Sequence, residues 1–160
     1  MIRVLDGLYL GDDDAARNRT RLRQHGVTHV VNCAIELPNY HEEDFLYLAL
    51  RLYDPDPQFH RHLVRACAFI DRARRDNGGV LVHCYAAISR SPSVVLAYLC
   101  HQGLTLERAA ATLGARVWTD PDRVHLDQLA RLHGGPADEA GWDRLVDLLH
   151  GRQGDDAAAG

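Results

Sequence analysis

One stretch constrains the fold of this chain more than any other: GGVLVHCYAAISRSPSVVLAYL, from Gly78 to Leu99. Val80, Leu81 and Val82 form a short apolar run without alternation, the pattern of a strand buried on both faces of a parallel sheet. VVLAYLCHQ, from Val94 to Gln102, has the length and apolar content of a buried helix, with Pro92 suited to its first position and Ser91 to its N-cap. Between them lie His83 and Cys84, then Tyr85, Ala86, Ala87, Ile88 and Ser89, then Arg90. A buried strand that turns through a tight loop into a helix is a building step of α/β domains.

The remaining segments fit that class. Val4 to Leu10 is a short apolar segment closed by Gly11, and the acidic run Asp12 to Asp14 opens a helix reaching toward Gln24. VTHVVNC, ending at Cys33, reads as a buried strand, ELPNYHEED as loop, and FLYLALRL as a strand ended by the two prolines of YDPDP. Leu63, Ala66, Cys67, Ile70 and Ala73 recur at helical spacing. Thr105 opens a helix to about Arg116, Asp120 and Pro121 open another to His133, and WDRLVDLLH is a last amphipathic helix. The expected fold is one α/β domain: a central, mostly parallel sheet of four to five strands flanked by helices on both faces. Residues 1–133 form the main domain, 134–150 a helical extension, and 151–160 a disordered tail.

Composition narrows the function classes. A chain of 160 residues suits one domain, and 46% hydrophobic with 25% charged residues is a globular balance. The net charge of -4 argues against nucleic acid as the main partner, and no stretch approaches the roughly 20 apolar residues of a membrane span. The N-terminus does not read as a signal peptide. Cys33, Cys67, Cys84 and Cys100 are far apart and show no zinc spacing. A monomer in a reducing cytoplasm, with free thiols and no metal or cofactor, is expected.

The loop carries the chemistry. Backbone N–H groups of such a loop and of the first helical turn favour an anion, and phosphate suits the cradle. The same positive potential acts on Cys84 and lowers a thiol pKa, so a thiolate is expected at pH 7. Arg90 can grip two phosphoryl oxygens in a bidentate fork, and Ser91 can donate to the sulfur when it leaves. These residue types point to covalent phosphoryl transfer.

HCYAAISRS also resembles the HC-x5-R-[ST] signature of the cysteine-dependent protein tyrosine phosphatases, and its surroundings resemble the small dual-specificity branch. The likeness runs from about Val4 to Leu132 and includes LDGLYLGDDDAARN, GVTHVVNC, LALRLYDPDP and RVWTDPDRVHLDQL, in family order. It implies Cys84 as nucleophile, Arg90 as phosphate clamp, Asp54 as general acid and base, and His83 as the residue that orients the loop. Asp56 is the nearest rival of Asp54. The loop amides from Tyr85 to Arg90 then bind the phosphate of a phosphorylated protein or peptide. In some relatives a cysteine at the place of Cys33 forms a disulfide with the nucleophile, and a buried apolar filler is the alternative.

The sequence departs from the family at named places. Ala87 stands where glycine is usual, which strains the loop if the bend needs positive φ. Asp122, Val124 and His125 replace the usual Asn, Gly and Phe. These departures sustain an alternative: a weakly active or inactive phosphatase serving as a phosphate-binding interaction module. The loop residues other than Arg90 carry no positive charge, which disfavours polyanionic inositol phospholipids.

Overall fold

The computed structural model describes residues 1–152; of the tail expected over 151–160, residues 153–160 lie outside the described residues. Five strands form one sheet: β1 (Ile2–Leu5), β2 (Leu8–Gly11), β3 (Val27–Ala34), β4 (Leu46–Leu52) and β5 (Gly79–His83), in the order β1-β2-β5-β3-β4. All neighbours are parallel except the edge pair β1 and β2. The α/β fold with a mostly parallel sheet is thus the observed one. The segment from Val4 to Leu10 is a hairpin rather than one unit, because Asp6 and Gly7 turn the chain and Gly7 supplies φ +73°.

β5 is the middle strand, and all five of its residues are buried. Its side chains alternate between two cores. Val80 and Val82 enter the larger one, with Leu50, Leu52, Ile70, Val95 and Leu99; Leu81 enters the smaller, with Leu22, Val30 and Phe45. The smaller core lies under α1 (Asp13–Arg17) and α2 (Arg19–Gln24), two helices where the sequence suggested one. Asn18 divides them: its side chain accepts from Arg21 N–H and caps α2.

The larger core lies under α3 (Leu63–Arg75), α4 (Arg90–His101), α5 (Leu106–Gly114), α6 (Arg123–His133) and α7 (Glu139–Leu149), with a 3₁₀ turn at Phe59–His62 leading into α3. α4 is buried from Arg90 to Cys100, so it gives the loop before it a rigid base. Leu145 and Leu149 of α7 join the same core, so this helix packs on the main body. A Cβ on Gly114 of α5 would lie 1.7 Å from the Leu148 carbonyl oxygen, a backbone approach only glycine permits. Thr119 N–H donates to Leu149 O, and His150 Nε2 pairs with Asp120 Oδ1 at 3.0 Å, tying α7 to the segment before α6. Among the described residues no helix is long and apolar enough to cross a membrane.

Candidate active site

The carboxyl ends of β2, β3, β4 and β5 lie on one side of the sheet, the usual place for a site in such folds. β5 delivers Cys84, which is 2% exposed, and the chain turns back through Tyr85–Ser89 into α4. Three of the loop's carbonyls are hydrogen-bonded from outside it. Tyr85 O accepts from Asp13 N–H, Ile88 O from Asp120 N–H, and Ser89 O from Ser93 N–H and Ser93 Oγ–H. Peptide planarity turns the N–H groups of Ala86 and Ser89 the opposite way. Among the described residues no hydrogen bond takes up the N–H groups of Tyr85 to Ser89. The bend at Ala87 has φ +58°, so the alanine stands in the left-handed region that favours glycine.

The helix begins at Arg90, two residues before the start expected from Pro92, with Ser89 at the N-cap position. Neither serine caps it. Ser89 Oγ–H donates to Asp54 Oδ1 at 2.9 Å while its oxygen accepts from Asp122 N–H, and Ser91 Oγ lies 3.1 Å from Cys84 Sγ. Among the described residues the N–H groups of Arg90 and Ser91 have no partner, both hydroxyls being engaged elsewhere. Pro92 is harmless in this first turn.

Arg90 is 8% exposed, and its donors divide in two. Nη1–H and Nη2–H donate to the two carboxylate oxygens of Glu36, at 2.6 and 2.5 Å, and a second Nη1–H donates to Leu52 O at 3.2 Å. Nε–H is buried and has no partner among the described residues. Together with the remaining Nη2–H it forms the side-on fork that fits two oxygens of one phosphoryl group. The ion pair holds Glu36 below the ordinary carboxylate pKa and raises that of Arg90 further. A bulge in β4 aims Leu52 O: Asn32 pairs with Ala49 but Ala34 with Leu52, and Arg51 takes φ +57° in between.

The two aspartates after β4 differ sharply. Asp54 is exposed and beside the loop, through Ser89. Asp56 is buried, and its carboxylate accepts from Tyr53 N–H and Gln58 N–H, so it serves the turn. Asp122 caps α6 by accepting from Val124 N–H, and the helix starts at Arg123 instead of at Asp120 and Pro121.

His83 is fully buried, and burial pushes its pKa down to about 4, so it is neutral at pH 7. Its Nδ1 faces Cys84 O at 3.4 Å. Cys33 adjoins Cys84: Asn32 pairs with His83 across β3 and β5, and one residue on stand Cys33 and Cys84, on the same face of the sheet. All four cysteines are free. Burial, then the nearby Cys84, pushes the Cys33 thiol well up; burial also pushes Cys67 to about 12 and Cys100 to about 11.

Cys84, Arg90, Ser91, His83, Asp54 and the loop therefore meet at one place, with Cys33 behind them. Two residues read only as loop or as a departure also belong there. Glu36 lies two residues past β3, at the strand end where ligands bind in such folds, which is the available signal. His125 reaches in from α6, and nothing local in the sequence places it there.

A central, mostly parallel sheet flanked by helices, with a cysteine, a tight loop and an arginine at its carboxyl edge, is the protein tyrosine phosphatase type of fold. The profile for the dual specificity phosphatase catalytic domain matches residues 8–131. The chain belongs to the dual specificity phosphatase family. It is 40% identical over 138 residues to human dual specificity protein phosphatase 26, covering 81% of this chain and 65% of that protein. Dual specificity protein phosphatase 1 of Arabidopsis thaliana is 41% identical over 108 residues, covering 66% of this chain and 54% of that one. The chain thus spans between half and two thirds of the length of these relatives. Among solved structures, human DUSP28 superposes with TM-score 0.78 at 31% identity, covering 83% of this chain and 95% of that one. A human tyrosine phosphatase-like serine/threonine/tyrosine-interacting protein superposes with TM-score 0.75 at 32% identity, covering 82% and 94%.

Proposed function

We propose that the protein hydrolyses phosphate monoesters on proteins, phosphotyrosine and also phosphoserine and phosphothreonine, through a cysteinyl-phosphate intermediate. In the first step Cys84 Sγ attacks phosphorus and the P–O bond to the leaving group breaks. Asp54 gives its proton to the departing oxygen. In the second step Asp54 takes a proton from water, the water oxygen attacks phosphorus, and the P–S bond breaks with its electron pair returning to sulfur. Ser91 donates to that sulfur. The loop N–H groups and the side-on fork of Arg90 stay on the three equatorial oxygens throughout, where charge is spread.

The observation that carries this reading is one of donor accounting. The carbonyls of Tyr85, Ile88 and Ser89 are engaged from outside the loop, and among the described residues the loop N–H groups and Arg90 Nε–H have no partner. Membership of the dual specificity phosphatase family supports it as well. Cys33 enters as a redox partner: oxidised Cys84 would be attacked by its thiol, forming a disulfide and releasing water.

A second reading, a phosphate-binding module without turnover, rests on Ala87 at positive φ and on the likeness to a protein described as phosphatase-like and interacting. One assay separates them. Phosphotyrosine, phosphothreonine and phosphoinositide substrates are offered to the wild type and to Cys84→Ser, with phosphate binding measured in parallel. The enzyme reading expects release of phosphate from the two phosphopeptides by the wild type only, with binding kept in the variant. Binding without release by the wild type favours the module.

A further inference from the structure

His125 sits where the acid loop, the phosphate loop and α6 meet. It is fully buried, and its ring packs on Phe59 at 4.8 Å between centroids. Asp56 N–H donates to His125 Nε2 at 2.8 Å, which places the ring proton on Nδ1. Nδ1–H then donates to Ser93 Oγ at 3.2 Å, and Ser93 Oγ–H donates to Ser89 O at 2.7 Å. Ser89 in turn holds Asp54 Oδ1. The imidazole therefore spans both ends of a hydrogen-bonded ring that runs Asp54, Ser89, Ser93, His125, Asp56 and back along the chain to Asp54.

We propose that His125 is a positioning residue: by holding the backbone of Asp56 against the phosphate loop it keeps Asp54 where it can protonate the leaving group. The proposal rests on the phosphatase reading for its kinetic consequence, and on geometry alone for the link itself. Phenylalanine in its place would pack on Phe59 but would leave the buried Asp56 N–H without an acceptor. Only the neutral ring makes the link, because a proton on Nε2 would face another donor. Asp54, Asp56 and Asp122 face the ring and favour its protonation, while Arg90 opposes it; burial is the largest influence and keeps its pKa below the usual value.

The test is a series of aryl phosphates of rising leaving-group pKa, run on the wild type, His125→Phe and His125→Gln. In the step that forms the cysteinyl phosphate a misplaced acid matters only when the leaving group needs a proton, and kcat/KM reports that step alone. His125→Phe is expected to lose about tenfold or more in kcat/KM on phenyl phosphate and far less on difluorinated aryl phosphates. Glutamine, which restores an acceptor, recovers part of the loss. An equal loss along the series, or none, overturns the proposal. An inactive wild type would instead sink the phosphatase reading, and a second measurement then decides. In ¹⁵N spectra the Asp56 amide shift must follow the titration of the His125 ring, and must lose that step in whichever of the two variants is folded. An Asp56 amide indifferent to that titration overturns the link.

Discussion

The carboxylate of Glu36 holds both terminal nitrogens of Arg90, fifty-four positions along the chain. This contact leaves the guanidinium with one free edge and fixes where that edge points. Without it the group can rotate about its long side chain. Glu36→Ala is therefore expected to raise KM for aryl phosphates and the inhibition constant of inorganic phosphate by about tenfold, with kcat changed less. Steady-state kinetics with phosphate as competitor checks this; tighter phosphate binding in the variant would mean that Glu36 competes for the site.

Ala87→Gly relieves the left-handed bend of the loop. The strain is about 1 kcal/mol or more, and glycine's greater freedom in the unfolded chain offsets part of it. A net gain of roughly 0.5–1 kcal/mol is expected in chemical denaturation.

Asp54→Asn and Asp56→Asn should fail in different assays. The first is expected to slow turnover of poor leaving groups by roughly 10² to 10⁴ while leaving the melting midpoint unchanged. The second weakens the acceptor of two backbone N–H groups and is expected to lower stability by about 1–2 kcal/mol. Reversed results would exchange the roles of the two residues.

His83 makes stability pH-dependent in a defined window. Its folded pKa of about 4 lies below the 6.5 of an unfolded histidine, so the unfolded chain binds more protons between these values. The stability contributed by the neutral buried ring is complete above pH 6.5 and is lost as pH falls toward 4. The loss is on the order of 3 kcal/mol. Denaturation midpoints of wild type and His83→Asn across pH 4 to 7 test this, the variant's profile being flatter.

Mild peroxide is expected to join Cys33 to Cys84, since neighbouring parallel strands hold Cα atoms about 4.8 Å apart, within the disulfide range. Non-reducing peptide mapping reads the product. Overoxidised Cys84 with Cys33 still a thiol would remove this role.

What the sequence disclosed and what it withheld divide by range along the chain. The strand, loop and helix around Cys84 are contiguous, so their types and order are legible, whereas Asp54 is singled out over Asp56 only by the family resemblance. Asp6 and Gly7 between apolar runs are a local cue for the hairpin turn, one that an account of Val4 to Leu10 as a single apolar segment passes over. The start of α4 was not, because Ser89 and Ser91 direct their hydroxyls to Asp54 and Cys84 instead of capping the helix. Glu36 with Arg90, and His125 with Asp56, meet only after the sheet and α6 have assembled, and no local pattern foretells such pairs.

Asp120 offers its amide to the Ile88 carbonyl and its carboxylate to His150, at the end of the last helix. The pocket thus has a rear handle. Asp120, with Thr119 bonded to Leu149 beside it, fastens the far end of the chain to the back of the loop that carries Ile88, so the last helix is built into the wall of the site.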